Sequence, residues 1–329
     1  MSRLPGYGAL VISLDFELHW GVRDKKTADG PYRENILGVR RAVPALLEVF
    51  EASEVAATWA TVGFLFARNR AELEEHAPES KPAYTDAKFD PYLENIGEDE
   101  DSDPLHYASA LIEQIRRTPR QEIGSHTFSH YYCLERGQDQ DSFAADIDSC
   151  KKIASTYGLE VRSMVFPRNQ RNRAYDGVLV DRAFTACRGN PQAWMYRAAR
   201  NDQESRLKRL GRLIDTCVDI SGPHTTSWQQ IESTGPLYDI PASFFVRPWS
   251  GRTARMPLRR IRRSMEHAAR TGQVVHLWWH PHNFGTNLDE NLRSLRQLLD
   301  SFVELRRRYG MRSLTMAETA QTVSETGGN

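Results

Sequence analysis

Apolar runs and helical spacings alternate along the chain. Ala9 to Leu14 is apolar apart from Ser13 and is closed by Asp15, the pattern of a strand covered on both faces and therefore of a parallel sheet. Val39 to Ala52 carries apolar positions at helical intervals, and Ala56 to Val62 reads as a second strand. Helices are predicted over Phe64 to Glu75, Leu105 to Arg117 and Ser142 to Tyr157, the last ended by Gly158. Strands are predicted at Glu122 to Ser125 and Val161 to Phe166. The second half continues with a helix near Tyr175 to Arg182, a short apolar run at Phe184 to Cys187 and a helix over Glu204 to Asp219. Strands at Ile240 to Val246, Gln273 to Trp279 and Ser313 to Thr315, with helices near Leu258 to Arg270 and Leu288 to Tyr309, complete the pattern.

One stretch breaks the rhythm. Between His76 and Pro104 the chain is rich in Pro, Asp and Glu, including Glu98-Asp99-Glu100-Asp101, and reads as a surface insertion, a lid or a disordered loop without chemistry of its own. Strands alternating with helices elsewhere predict an α/β protein with a parallel sheet. Seven or eight strands favour a closed or nearly closed barrel, in one domain spanning 1–329.

Composition narrows the function. The 329 residues are 40% hydrophobic and 26% charged, enough for a full core. The formal net charge is zero, so no global field attracts nucleic acid, and the basic run Arg259 to Arg263 reads as a solvated helix face. Cys133, Cys150, Cys187 and Cys217 form no Cys-x-x-Cys pair, which argues against a zinc ribbon or a disulfide framework. Reduced thiols and a first segment without an apolar leader point to the cytoplasm, and no stretch approaches a membrane span.

In parallel barrels the reactive groups gather where strands end. Asp15 and Glu17 end the first strand, His126 and His130 follow the third, Phe166-Pro167-Arg168-Asn169 follows the fourth, and His280 and His282 follow Leu277-Trp278-Trp279. Two histidines and one carboxylate leave a fourth position open on Zn²⁺, the arrangement used by catalytic zinc sites. Asp15 and Glu17 point to the same side of a strand, so one can bind the metal while the other takes a proton. The same ligands also suit Co²⁺ or Ni²⁺. His19 shares that side as a wall residue or substitute ligand. His76, His106, His224 and His267 have no convergent partners in the sequence and read as structural or exposed.

Ser13-Leu14-Asp15-Phe16-Glu17, His126-Thr127-Phe128-Ser129-His130 and Leu277-Trp278-Trp279-His280 resemble, in order, motifs of the polysaccharide deacetylases, the NodB-homology or carbohydrate esterase 4 group. The resemblance implies a distorted (β/α)₇ barrel, with 76–104 as its acidic insertion. It also implies metal-dependent hydrolysis of N-acetyl groups on sugars. By it, Asp15 is the catalytic base, Glu17 the metal-binding acid with Asp15 the alternative, His126 and His130 the metal-binding histidines, and His280 the general acid, preferred to His282. Two features depart from the family pattern. The adjacent Asp-Asp pair is spread to Asp-x-Glu, and Arg-x-Pro-x-Gly is replaced by Phe166-Pro167-Arg168-Asn169-Gln170, where Arg168 is expected to orient Asp15.

Trp20, Tyr131, Trp249, Trp278 and Trp279 are candidates for a wall that stacks on sugar faces, with core packing as the alternative; Trp279 is taken as the member of its pair that meets substrate. Arg247 and His282 are further substrate-binding candidates, Arg247 for an anionic group. The expected function is a cytoplasmic deacetylase of a nucleotide- or lipid-linked amino sugar. The alternatives are a hydrolase of a non-sugar amide or cyclic ureide, and a silent carbohydrate-binding barrel.

Overall fold

The computed structural model describes residues 4–190, 222–232, 234–248 and 255–327. The helix expected over Glu204 to Asp219, with Cys217, and Trp249 lie outside them. Among the described residues nine strands form one sheet: β1 (Ala9–Phe16), β2 (Ala57–Thr61), β3 (Gln121–Ser125), β4 (Ser163–Met164), β5 (Ala186–Cys187), β6 (Tyr238–Asp239), β7 (Phe244–Phe245), β8 (Val274–Trp279) and β9 (Arg312–Leu314). Their order is β6-β5-β4-β3-β2-β1-β8-β7, with β9 beside the start of β1. Every pairing is parallel. This is the curled, open parallel sheet of a distorted barrel, as expected.

Of the strand expected over Ile240 to Val246 only β7 (Phe244–Phe245) forms; β6 (Tyr238–Asp239) comes just before it, and the two lie at opposite margins of the sheet. Pro241 lies between them and has no N–H to give to a ladder. Around it, Ile240 N bonds Cys187 O (2.9 Å) on the β5 side, and Ser243 N bonds His276 O (2.7 Å) on the β8 side. One extended segment therefore touches both margins and curls the sheet.

Period-two alternation divides β1 between two environments. Leu10, Ile12, Leu14 and Phe16 join the large outer core with Val43, Leu46 and Phe50 of the helix Val39–Ala52, which forms over the residues predicted. Ala9 and Val11 belong to a smaller inner cluster with Ala60, Val165, Ala186 and Ile240, closed below by Met316, Ala320 and Val323 of the helix Met316–Gly327. Burying each larger apolar side chain there contributes about 1.5–3 kcal/mol. Further along the inner face the residues become polar, at Ser13 and Asp15, and the mouth of the curled sheet begins.

The 76–104 insertion is ordered, not a disordered loop. Arg23 donates to Lys88 O (2.9 Å) and Asp90 O (3.2 Å), Tyr107 OH donates to Gly97 O (3.0 Å), and Phe89 is buried against Tyr132.

Candidate metal and active site

Asp15 lies near the end of β1, and Glu17 follows it into the 3₁₀ turn Leu18–Gly21; both are buried. The turn folds back so closely that a Cβ on Gly21 would stand 1.9 Å from the Glu17 carboxyl carbon. Glycine at this position leaves the carboxylate its place.

His126 leaves β3 with its N–H on Thr61 O (2.9 Å). The path from there to His130 is neither helix nor strand, because Thr127 and His130 have φ of 63° and 57°. Left-handed backbone is costly for a β-branched threonine and persists only when its surroundings fix it. Here they do. Thr127 N donates to Ser125 Oγ (2.9 Å), Tyr131 N to Thr127 Oγ1 (2.7 Å) and Gly63 N to Thr127 O (2.9 Å). From the helix Gln140–Thr156, Asp146 accepts from Phe128 N (2.7 Å), Ser129 N (3.1 Å) and the Ser129 hydroxyl. Burial pushes the Asp146 carboxyl up to about 6 against the pull of those bonds.

The loop aims both imidazoles at one oxygen. Nε2 of His126 and Nε2 of His130 each lie 3.1 Å from Glu17 Oε2, and the three residues form a group able to hold a metal ion. His126 Nδ1 is 2.7 Å from the Val165 carbonyl oxygen, which can only accept, so Nδ1 carries the proton. That leaves Nε2 as the nitrogen that faces the carboxylate and the one able to bind a cation placed between them. Ligands about 2.0–2.1 Å from a tetrahedral zinc stand about 3.3 Å apart, close to this spacing. The residues therefore fit a divalent metal. Burial pulls the His130 imidazole down to about 4, against the attraction of Glu17, so its ring is neutral and able to ligate at neutral pH. Burial alone would raise the Glu17 carboxyl; His280, His126 and His130 hold it well below its ordinary value.

Asp15 is turned to a different partner. Arg188, just past β5 and fully buried, donates from Nη1 to Asp15 Oδ1 (2.6 Å) and from Nη2 to Asp15 Oδ2 (2.8 Å). Burial would raise this carboxyl; the guanidinium, with smaller contributions from His126 and His280, outweighs it, so its pKa is lowered. Arg188 also donates to Ser13 Oγ (3.0 Å) and Asn169 Oδ1 (2.9 Å). Ser13 in turn lies 2.9 Å from Nε2 of His276, whose Nδ1 meets Ile240 O at 3.0 Å. A neutral His276, held down to about 3 by burial and then by Arg188, completes a chain of donors that ends on a backbone carbonyl.

Arg168, expected to orient Asp15, does not reach it. Its left-handed backbone (φ 55°) sends the guanidinium over the Tyr132 ring (4.3 Å) and onto Asp24 instead. From that motif it is Asn169 that joins the Asp15 network, through Arg188. Arg188 and His276 were missed by the sequence reading, although a lone arginine directly after the apolar Ala186-Cys187 obeys the strand-end rule.

His280 closes the mouth from β8, with its side chain 23% exposed where both carboxylates are nearly sealed. Its Nδ1 is 3.2 Å from Asn283 Oδ1, which leaves Nε2 facing Glu17 Oε1 (3.5 Å) and Asp15 Oδ2 (3.8 Å). His282 is buried and stacks on the His280 ring at 4.8 Å and 11°. Burial, then the His280 charge, pulls it down to about 3. It supports the His280 ring from a buried position.

Three of the expected wall residues are core. Trp20 is buried between Phe64 and His106 with Nε1 on His106 O (2.9 Å). The Tyr131 hydroxyl is bound to Gln138, Asp139 and Ser142 at the start of the helix that carries Asp146. Trp279 is fully buried beside Phe50 and Phe284. Register explains the last. Trp278 pairs with Ser13 and so shares the inner side with His276 and His280, whereas Trp279 pairs with Leu14 and turns to the outer core. Trp278 and Phe245, both partly exposed, are the aromatic rings beside His280, at 5.6 and 5.7 Å. Arg247 is exposed two residues past β7.

Residues 29–186 match the polysaccharide deacetylase family. No curated protein matches the chain. A Mycobacterium smegmatis structure described as a polysaccharide deacetylase superposes with a TM-score of 0.63 at 14% identity, covering 99% of this chain and 96% of that one. The PuuE allantoinase gives 0.56 at 10% identity, covering 98% and 91%. A Pseudomonas aeruginosa PAO1 structure, also described as a polysaccharide deacetylase, gives 0.54 at 10%, covering 96% and 91%. At such identities the likeness is one of fold. Among the described residues no helix is long and apolar enough to cross a membrane.

Proposed function

We propose that this chain, whose residues 29–186 match the polysaccharide deacetylase family, is a metal-dependent hydrolase that removes the N-acetyl group of an amino sugar. The observation that carries the reading is the convergence of His126 and His130 on one oxygen of Glu17, with Asp15 and His280 beside it. Glu17, His126 and His130 are the residues that would hold the metal. When bound, a divalent ion such as Zn²⁺, or Co²⁺ or Ni²⁺, supplies Lewis acidity to an acyl carbonyl and to water.

The chain's own groups divide the proton work. Asp15, kept ionised and fixed by the two Arg188 hydrogen bonds, accepts the proton of the attacking water. Asn283 holds the His280 ring by its Nδ1, so Nε2 delivers a proton to the departing amine, which leaves poorly as an anion. Trp278 and Phe245 supply the aromatic side of the sugar site, and Arg247, exposed past β7, is the candidate for a cationic contact to an anionic group. Cys133, Cys150 and Cys187 are buried free thiols, in keeping with a reducing compartment and a substrate such as a nucleotide- or lipid-linked intermediate of glycan biosynthesis.

The likeness to the PuuE allantoinase favours one second reading, hydrolysis of a cyclic ureide or other non-sugar amide on the same barrel. An acetate-release screen over N-acetylhexosamines, their nucleotide diphosphates and lipid-linked forms, run beside ring opening of cyclic ureides, separates the two. Deacetylation that Asp15→Asn abolishes supports the first reading. Ring opening without acetate release replaces it. Sugar binding with neither reaction identifies a silent barrel.

A further inference from the structure

The insertion at 76–104 brings a carboxylate onto a second pair of imidazoles. His19, in the turn after Glu17, and His106, just beyond the insertion, meet edge to face with Nδ1 of His19 3.0 Å from Nε2 of His106. Their other nitrogens are committed. His19 Nε2 is 3.0 Å from the Lys26 carbonyl oxygen, and His106 Nδ1 is 2.7 Å from Asp103 Oδ2. A carbonyl oxygen and a carboxylate both accept, so each ring donates outward, and the nitrogens that face each other are the ones left to present lone pairs. Two lone pairs at this distance repel unless a positive centre joins them. Glu94, from the insertion, places Oε1 3.9 Å from His19 Nδ1. One ligand atom from each of the three residues lies within 4.8 Å of the others.

We propose that His19, His106 and Glu94 form a second divalent-cation site, distinct from that of Glu17, His126 and His130, and that zinc is its best-matched occupant. Two imidazoles and one carboxylate suit that ion. The outer contacts match as well, since metal-binding histidines donate their remaining N–H to a carboxylate or a backbone carbonyl, as His106 does to Asp103 and His19 to Lys26. Glu94 and Asp103 together balance a dication. The rings are 3% and 2% exposed and the Glu94 side chain 25%, so the site is sealed below and open at the insertion. Its occupancy ties the insertion to the turn whose Gly21 abuts Glu17, and so stiffens the floor of the first site.

Zinc content of the full-length protein, stripped with chelator, reloaded and gel-filtered, tests the site. Wild type is expected to hold two ions per chain, Glu94→Gln and His106→Gln one, His126→Ala one, and the pair His126→Ala with Glu94→Gln none. Glu94 sits at the partly exposed edge, so Glu94→Gln keeps the test usable if His106→Gln does not fold. As a second measurement, zinc should slow proteolysis within 76–104 in His126→Ala and not in Glu94→Gln. One ion in wild type, lost in His126→Ala and kept in Glu94→Gln and His106→Gln, overturns the second site and leaves the first; the two rings then share a proton instead. One ion kept in His126→Ala and lost in Glu94→Gln upholds the second site and removes the first.

Discussion

Arg188→Ala removes the only guanidinium that touches Asp15 among the described residues, and its effects follow from the geometry. Two hydrogen bonds of 2.6 and 2.8 Å disappear, together with those to Ser13 and Asn169, from a site where the arginine side chain is 0% and the aspartate 4% exposed. Leaving one member of a buried pair unpaired costs about 3–5 kcal/mol. The carboxyl responds as well. In the wild type burial raises its pKa, and Arg188 with the smaller charges of His126 and His280 outweighs burial, so ionised Asp15 contributes stability that is present above the unfolded value of about 3.9 and lost as pH falls through the lower folded value. Without Arg188 only burial and the weaker histidine charges remain, and the pKa moves above the ordinary value. The sign then reverses, and Asp15 subtracts stability as pH rises through its folded pKa. Urea denaturation of both proteins at about pH 5 and about pH 8 reads this sign directly. The mutant is expected to lose more stability at the higher pH, and the acid limb of its pH–rate profile should move upward. Loss of less than about 1 kcal/mol with an unchanged pH dependence would refute the role given to Arg188. Arg168→Ala, which breaks the pair with Asp24, should leave the pH–rate profile where it is.

Gly21→Ala sets a methyl group against the end of the Glu17 side chain; the ligating carboxylate should swing away, and zinc affinity should fall by more than the about 10–100-fold that losing a partner of a ligand costs, with little change in melting temperature. Unchanged zinc affinity would mean that Glu17 is not a ligand. Asp146→Ala frees the N–H groups of Phe128 and Ser129, each costing about 1–3 kcal/mol when left buried, and zinc titration should show weaker binding although no ligand is changed. With its carboxyl raised to about 6 from an unfolded value of 3.8, Asp146 makes wild-type stability fall as pH rises across that window, by about 3 kcal/mol; the alanine variant should lose that slope in urea titrations. Trp279→Ala should destabilise the fold by about 3–5 kcal/mol, whereas Trp278→Ala should act chiefly on KM for substrate. The opposite assignment would contradict the register of β8 on β1.

Most of the strands, and the strand ends that gather at the candidate site, were legible because both depend on local patterns. Ala9 to Leu14 could only be a covered strand, Asp15, Glu17 and His280 follow apolar runs, and His126 and His130 follow the short strand Gln121–Ser125. What escaped depended on side-chain direction across the sheet. Trp278 and Trp279 look alike in sequence, yet His280 already marks the inner side, and two steps back along a strand reach Trp278. Arg168 was misplaced because a left-handed residue after Pro167 turns it outward, and no residue type signals that turn. His19, His106 and Glu94 are scattered over the chain and meet only because the insertion folds down. Pro241 did signal the break between β6 and β7, since a proline inside an apolar run argues against a single continuous strand.

The central claim is that Glu17, His126 and His130 together hold one metal ion. An anomalous difference map from zinc-loaded crystals, collected on both sides of the zinc edge, tests it most directly. The account predicts a peak about 2.0–2.2 Å from Glu17 Oε2 and from Nε2 of both histidines, with Asp15 still on Arg188. A peak bound by Asp15 with Glu17 turned away, or no peak between the two imidazoles, would contradict it.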